Sequence, residues 1–204
     1  MRDGRDGRGD RDGKVLAAPA RAGGGDGPQE DDPEAQARQV CLRLLTHAPQ
    51  TRAQLADALS RRGIPGEIAD NVLERFTDVG LIDDAAFARA WVESRHYSRG
   101  LAGRALSAEL KQRGVADDEI RDAVAGLGPE AEVATARELA ARKLAATRGQ
   151  PTQARLRRLT GMLARKGYPP ELAFRVIREA MGTEGTDADL GEELPFDEAY
   201  FDTE

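Results

Sequence analysis

The sequence predicts an all-α fold: three tandem three-helix units in an elongated, curved arrangement, flanked by disordered tails. Three observations carry this. The pattern L-x3-L-x3-G occurs at Leu55-Leu59-Gly63, Leu106-Leu110-Gly114 and Leu159-Leu163-Gly167, with the glycines 51 and 53 residues apart. Runs of Val, Ile and Thr with period-two alternation, the mark of half-buried strands, do not occur. Self-similarity at a period of about 50 residues indicates units that each bury a small core and gain the rest from their neighbours.

Each repeated phrase reads as the end of a helix. Leucines four apart lie on one helical face, and the basic residue before each glycine (Arg62, Arg113, Lys166) complements the negative helix end. The glycine supplies the left-handed conformation that stops the helix. Pro65 and Pro169 follow, suited to the first turn of a next helix, where a missing N–H costs little.

The first unit, residues 33–81, is expected to hold helices over about 33–46, 52–62 and 66–79, with Thr51 and Gln54 forming a capping box. In the second, residues 82–127, Asp83 or Asp84 caps a helix reaching about residue 97, followed by 101–113 and 117–126. The third, residues 128–181, has helices over about 129–147, 152–166 and 169–181.

The flanks differ in composition. Residues 1–32 alternate Gly, Asp and Arg and carry almost no large apolar side chain, so they cannot offset their ordering entropy and are expected to be disordered. Residues 182–204 hold nine acidic and no basic groups and are expected to form a second unfolded tail. Of the net charge of −6, the folding portion has 24 basic against 19 acidic groups. A mildly basic body with an acidic tail points to a polyanionic partner.

Cys41 is the sole cysteine and lies in the apolar-periodic run VCLRLL, which excludes an intrachain disulfide, indicates a reducing compartment and marks the thiol as a small buried hydrophobe. A signal-peptide core is absent, as is an apolar run near the ~20 residues of a membrane span. The expected location is the cytoplasm, without membrane contact.

The second unit has the most particular wording, DDAAFARAWVESRHYSRGLAGRALSAELKQRGV, from Asp83 to Val115. Asp83-Asp84, Phe87-Ala88, Trp91, Arg95, Arg99-Gly100, Leu106, Leu110 and Gly114-Val115 resemble the signature of the RecX family, regulators of the RecA recombinase. CLRLLTHAPQTRAQLADAL and VLERFTDVGLIDD of the first unit fit the same family. The joint His96-Tyr97-Ser98 is less basic than the family pattern. The resemblance spans about residues 33–181 and implies tandem three-helix repeats. It implies a non-enzymatic regulator that binds RecA filaments on single-stranded DNA; double-stranded DNA is a further candidate partner, and the chain is expected to be a monomer. Such a regulator limits filament extension, ATPase, strand exchange and coprotease activity, within DNA repair, recombination and the SOS response.

No catalytic, cofactor or metal site can be assembled from the residues. His47 and His96 fall in different units and in no ligand spacing. Asp83 and Asp84, opening a helix, read as a cap and a dipole partner.

Candidate binding residues come from helical wheels at ~100° per residue. On helix 83–97, Phe87, Trp91 and Ser94 share one face, with Arg89 and His96 opposite. Arg104 and Lys111 fall together across from Leu106 and Leu110, ~10 Å apart. On helix 152–166, Arg158 and Arg165 flank the face of Leu156, Leu159 and Leu163, with Arg155 nearby. Arg89, Arg95, Arg99, Arg104, Lys111, Arg155, Arg158 and Arg165 are the expected partner or nucleic-acid contacts, with a solvated charged face as the alternative for each. Residues 33–81 balance six basic and six acidic groups, whereas residues 85–115 have six against two and residues 128–181 eleven against five. The second and third units are the expected contact surface. The spacing of Phe87 and Trp91 assigns them to the core rather than to base stacking, Tyr168 and Phe174 likewise, while Tyr97 is expected at the surface.

Two competing readings are a stand-alone DNA-binding regulator of the helix-turn-helix type and a protein-only helical adaptor. The first needs a third helix whose start meets base edges, yet these segments begin PGEIADN, ADDEIRD and PPELAFR. The acidic tail reads as a solvated appendage, with competition for a basic surface as the alternative.

Overall fold

A computed structural model describes residues 32–183 of the chain. Among these residues there are nine α-helices and no strand: α1 (Pro33–His47), α2 (Arg52–Ser60), α3 (Gly66–Asp78), α4 (Asp84–Arg99), α5 (Gly103–Lys111), α6 (Asp117–Ala125), α7 (Pro129–Ala145), α8 (Thr152–Arg165) and α9 (Pro170–Thr183). The expected tails, 1–32 and 182–204, lie almost wholly outside the described residues.

Successive triplets each enclose a core. Leu55, Leu59, Val72 and Leu73 are buried with Ala37 and Cys41 in the first; Leu106, Leu110, Ala88 and Val92 in the second; Leu159, Leu163, Tyr168, Val176 and Met181 in the third. Every leucine of the repeated phrase is therefore core. The three glycines adopt φ of +75° (Gly63), +77° (Gly114) and +84° (Gly167), the left-handed conformation the sequence requires.

Thr51 caps α2 through the expected capping box, its hydroxyl accepting from Gln54 N and its own N–H donating to the Gln54 side chain. Asp83 caps α4, accepting from Ala86 N at 2.7 Å. Asp84 turns away to the first triplet, where its Oδ1 accepts from Arg52 N at 2.9 Å.

Several helix ends differ from expectation by one or two residues, and the joint between α4 and α5 differs on both sides. α4 runs to Arg99 and stops at Gly100, which has φ +64°. α5 starts only at Gly103, because Ala102 is extended and donates its N–H to the carbonyl of Lys166 in the third triplet at 2.8 Å.

That bond belongs to a repeated junction. Thr51 and Ala102 each stand twelve residues before their unit's terminal glycine, and Arg113 and Lys166 each stand one before theirs. The Thr51 hydroxyl donates to the carbonyl of Arg113 at 2.6 Å, as Ala102 N does to that of Lys166. The following glycines touch the second helix of the preceding unit: a Cβ on Gly114 would lie 2.3 Å from Ala53 Cβ, and one on Gly167 2.5 Å from Ala105 N. Gly63, in the first unit, has nothing within 4 Å of that position.

Candidate functional site

The buried face of α4 is Ala88, Val92 and His96. This corrects two wheel assignments: His96 faces inward, while Phe87 and Trp91 are only partly buried at the flank of the second core. His96 Nδ1 is 2.8 Å from the carbonyl of Leu101 and Nε2 is 2.8 Å from the hydroxyl of Thr135 on α7. A carbonyl only accepts, so in the neutral ring Nδ1–H donates to Leu101 and Nε2 accepts from Thr135. The second and third units are thereby joined through a residue first read as outward-facing.

Beside this contact lies an open cleft of about 770 Å³, between the end of α4, α7 and α8. Arg99, Arg142, Arg165 and Lys166 line it, with Tyr97, Leu139, Met162 and the carboxylate-bearing Glu138. Tyr97, as expected, is almost fully exposed at 93%. Lys166 donates to the carbonyl of Arg99, and its ammonium pKa is lowered, first by burial and then by the charges of Arg142 and Arg99. Mutual repulsion among cations at one site is relieved when an anion enters. Arg165 continues into a second cavity with Lys143, Arg157 and Arg158, extending the basic surface along α8.

Of the candidates, Arg99 and Arg165 meet in the first cleft, and Arg165 meets Arg158 in the second. Arg89, Arg104 and Lys111 are exposed elsewhere on α4 and α5, Lys111 lying 3.8 Å from Asp117. Arg95 lies over the Trp91 ring at 4.1 Å from its centre, as does Arg113 at 3.7 Å, and Phe87 stacks on the same ring at 5.7 Å between centroids; Arg95 is also 3.8 Å from Glu109, which accepts from Trp91 Nε1 at 2.8 Å. Arg155 needs correction. It is buried, 7% exposed, and donates to the carbonyl of Leu144 at 3.2 Å and to Thr147 at 3.4 Å, closing the end of α7. Its place eight residues after Thr147, across the turn from α7 to α8, puts it inside, where the wheel of its own helix saw only a flank. Phe174 is likewise half-buried, with Arg178 over its ring at 4.3 Å.

Sequence reasoning missed Arg142, Lys143, Arg157 and Lys166 as cleft residues. Arg142 and Lys143 sit on an alanine-rich helix without a sharp apolar stripe, so the wheel gave them no outer face; Lys166 was read only as a helix-end charge. Among the described residues no three His, Cys, Asp or Glu side chains converge as metal ligands, and no helix is long and apolar enough to cross a membrane.

Three family models match in order: the first three-helix domain of RecX over residues 37–76, the second over 83–124 and the third over 130–177. A curated relative from Thermobifida fusca (strain YX), named Regulatory protein RecX, is 59% identical over 174 residues, covering 83% of this chain and 94% of the relative. The chain belongs to the RecX family. A second Regulatory protein RecX, from Streptomyces coelicolor, is 57% identical over 175 residues, covering 85% and 92%. The crystal structure of RecX from Lactobacillus salivarius superposes with a TM-score of 0.68 at 18% identity, over 73% of this chain and 97% of that one, and shares the RecX fold. The family is one of regulatory proteins, and the basic cleft lies where its second and third domains meet.

Proposed function

We propose that this chain regulates the RecA recombinase in the cytoplasm, binding as a monomer to the RecA filament on single-stranded DNA. There it limits filament extension and, with it, the ATPase, strand-exchange and coprotease activities. Its action is stoichiometric contact rather than catalysis. Family membership supports the regulatory role, and the observation that carries the mode of contact is the convergence of Arg99, Arg142, Arg165 and Lys166 on one open cleft.

Four cations from three helices, with an exposed tyrosine at the rim, fit a phosphate backbone with an unpaired base close by. Base-edge reading by a third helix is disfavoured, since the first turn of α6 is Asp117, Asp118 and Glu119. The contact is therefore read as independent of base sequence.

The test is the decay of preformed RecA filaments on single-stranded DNA after addition of the protein. Wild type is expected to shorten filament lifetime, and Arg99→Gln with Arg142→Gln and Arg165→Gln to weaken the effect at least tenfold. Loss of three phosphate contacts lowers the log–log salt slope of single-stranded DNA binding by about 2. The control Arg43→Gln with Arg61→Gln, in the charge-balanced first unit, should leave both unchanged. Filament binding with no affinity for free DNA would instead indicate a protein-only adaptor, and no effect on filaments would remove the proposal.

A further inference from the structure

We infer that residues 184–204 of this chain dock into the cleft between the second and third domains, so that the protein carries its own competitor for its binding surface. Thr183 ends α9, and the 21 residues beyond it hold nine Asp or Glu and no Lys or Arg. Leu190, Leu194, Phe196, Tyr200 and Phe201 are interleaved with those acids. The cleft offers the complementary set: Arg99, Arg142, Arg165 and Lys166 for the carboxylates, and Leu139 and Met162 for the apolar side chains. A purely solvating tail has no use for five large apolar residues; a segment that enters a basic and partly apolar cleft does.

The tether permits the contact. Glu179 of α9 is bonded to Arg137 of α7 at 2.7 Å, five residues before Arg142 on the same helix, so the tail leaves one turn beyond a point already fastened to a cleft-forming helix. If unstructured, a chain of 21 residues would have a root-mean-square span of roughly 25 Å, about the whole length of α7 at ~1.5 Å per residue. Short tethers give effective concentrations on the order of millimolar. A segment with a Kd of about 100 µM would thus fill the cleft for roughly nine-tenths of the time and weaken a competitor about tenfold. Glu138, the carboxylate in the lining, keeps such an interaction reversible by opposing the tail's charge.

Docking is tested without nucleic acid. A nitroxide on the full chain at Ala199→Cys, with Cys41 fully buried and so protected from the label, should broaden the amide signals of Tyr97, Ser98, Gly100 and Arg142 at low salt. The broadening should vanish in 1 M salt, where the Debye length is ~3 Å, and in the Arg99→Gln, Arg142→Gln variant, whose fold is checked by its remaining spectrum. Broadening spread evenly over the surface, or unmoved by that variant, overturns the inference. So does broadening in unlabelled chains mixed with nitroxide-bearing ones, which would assign the contact to a second copy. The consequence for binding rests on the proposed function and is measured separately: deleting 184–204 should tighten binding to an oligothymidylate about tenfold at low salt. Docking with unaltered oligothymidylate affinity would retain the tail contact and reject the cleft as the nucleic-acid surface.

Discussion

The hydroxyl of Thr51 donates to the carbonyl of Arg113 at 2.6 Å, tying the cap of a helix in the first domain to the turn that follows a helix in the second. The glycine after Arg113 then presses against Ala53, whose Cβ would stand 2.3 Å from any Cβ at that position.

Gly114→Ala is therefore expected to cost more than Gly63→Ala. Both substitutions force a side chain into a left-handed conformation, for about 1 kcal/mol, but only the first meets another domain. Ala53 is fixed to its backbone and cannot swing aside, so overpacking adds about 1–3 kcal/mol. Denaturant unfolding of both variants measures the difference; equal losses would show that the junction yields freely.

The same junction should respond to pH. Burial raises the carboxyl pKa of Asp84, against the lowering effect of Arg52; burial and the Asp84 charge raise that of Glu119. Raised folded values mean that the folded state binds protons more readily than the unfolded chain. This stabilising contribution is full below the unfolded pKa values, about 3.9 and 4.3, and is lost as pH rises through the higher folded ones. Asp84→Asn keeps the Oδ1 acceptor for Arg52 N and removes the charge. Its unfolding midpoint should fall less than that of wild type between acidic and neutral pH, and parallel curves would refute the assignment.

Trp91 is the only tryptophan, so its emission reports one site, where Arg95, Arg113 and Phe87 lie against the ring and Glu109 accepts from its Nε1. Removing the closer cation by Arg113→Gln should shift the emission to the red and raise acrylamide quenching, at a stability cost of about 0.5–1 kcal/mol. An unchanged spectrum would mean that the guanidinium does not cover the ring.

Arg155 and Arg165 separate structure from contact on one helix. Arg155→Gln removes donors to the end of α7 and should lower stability by about 1–3 kcal/mol, while the folded protein keeps its affinity for single-stranded DNA. Arg165→Gln should do the reverse. Thermal unfolding beside fluorescence anisotropy checks both.

The fold was legible because its signals are local. The leucine pair and the glycine of each phrase declare a buried face and a left-handed stop within nine residues, and the structure has both three times. The cleft was only half legible because it is assembled across domains. Arg165 is marked by the wheel of its own helix and Arg99 by the family-like phrase of the second unit, but nothing near Arg142 in sequence says that it will face them, and helical phase alone places His96 outside when its partner, Thr135, lies 39 residues away. Arg155 failed the same way, its partners belonging to the end of the preceding helix and the turn after it.

Both junctions fasten through a main-chain carbonyl, at Arg113 and at Lys166, and every amino acid has one. The side chain of Arg113 is left to other work, over an indole, whereas that of Lys166 both lines the cleft and bonds the carbonyl of Arg99 across the same junction. At Arg113 assembly and side-chain chemistry thus occupy different halves of one residue, while at Lys166 they share it. The first junction can therefore accept a new side chain at its carbonyl position without loosening, and the second cannot change its cleft cation without touching its own joint.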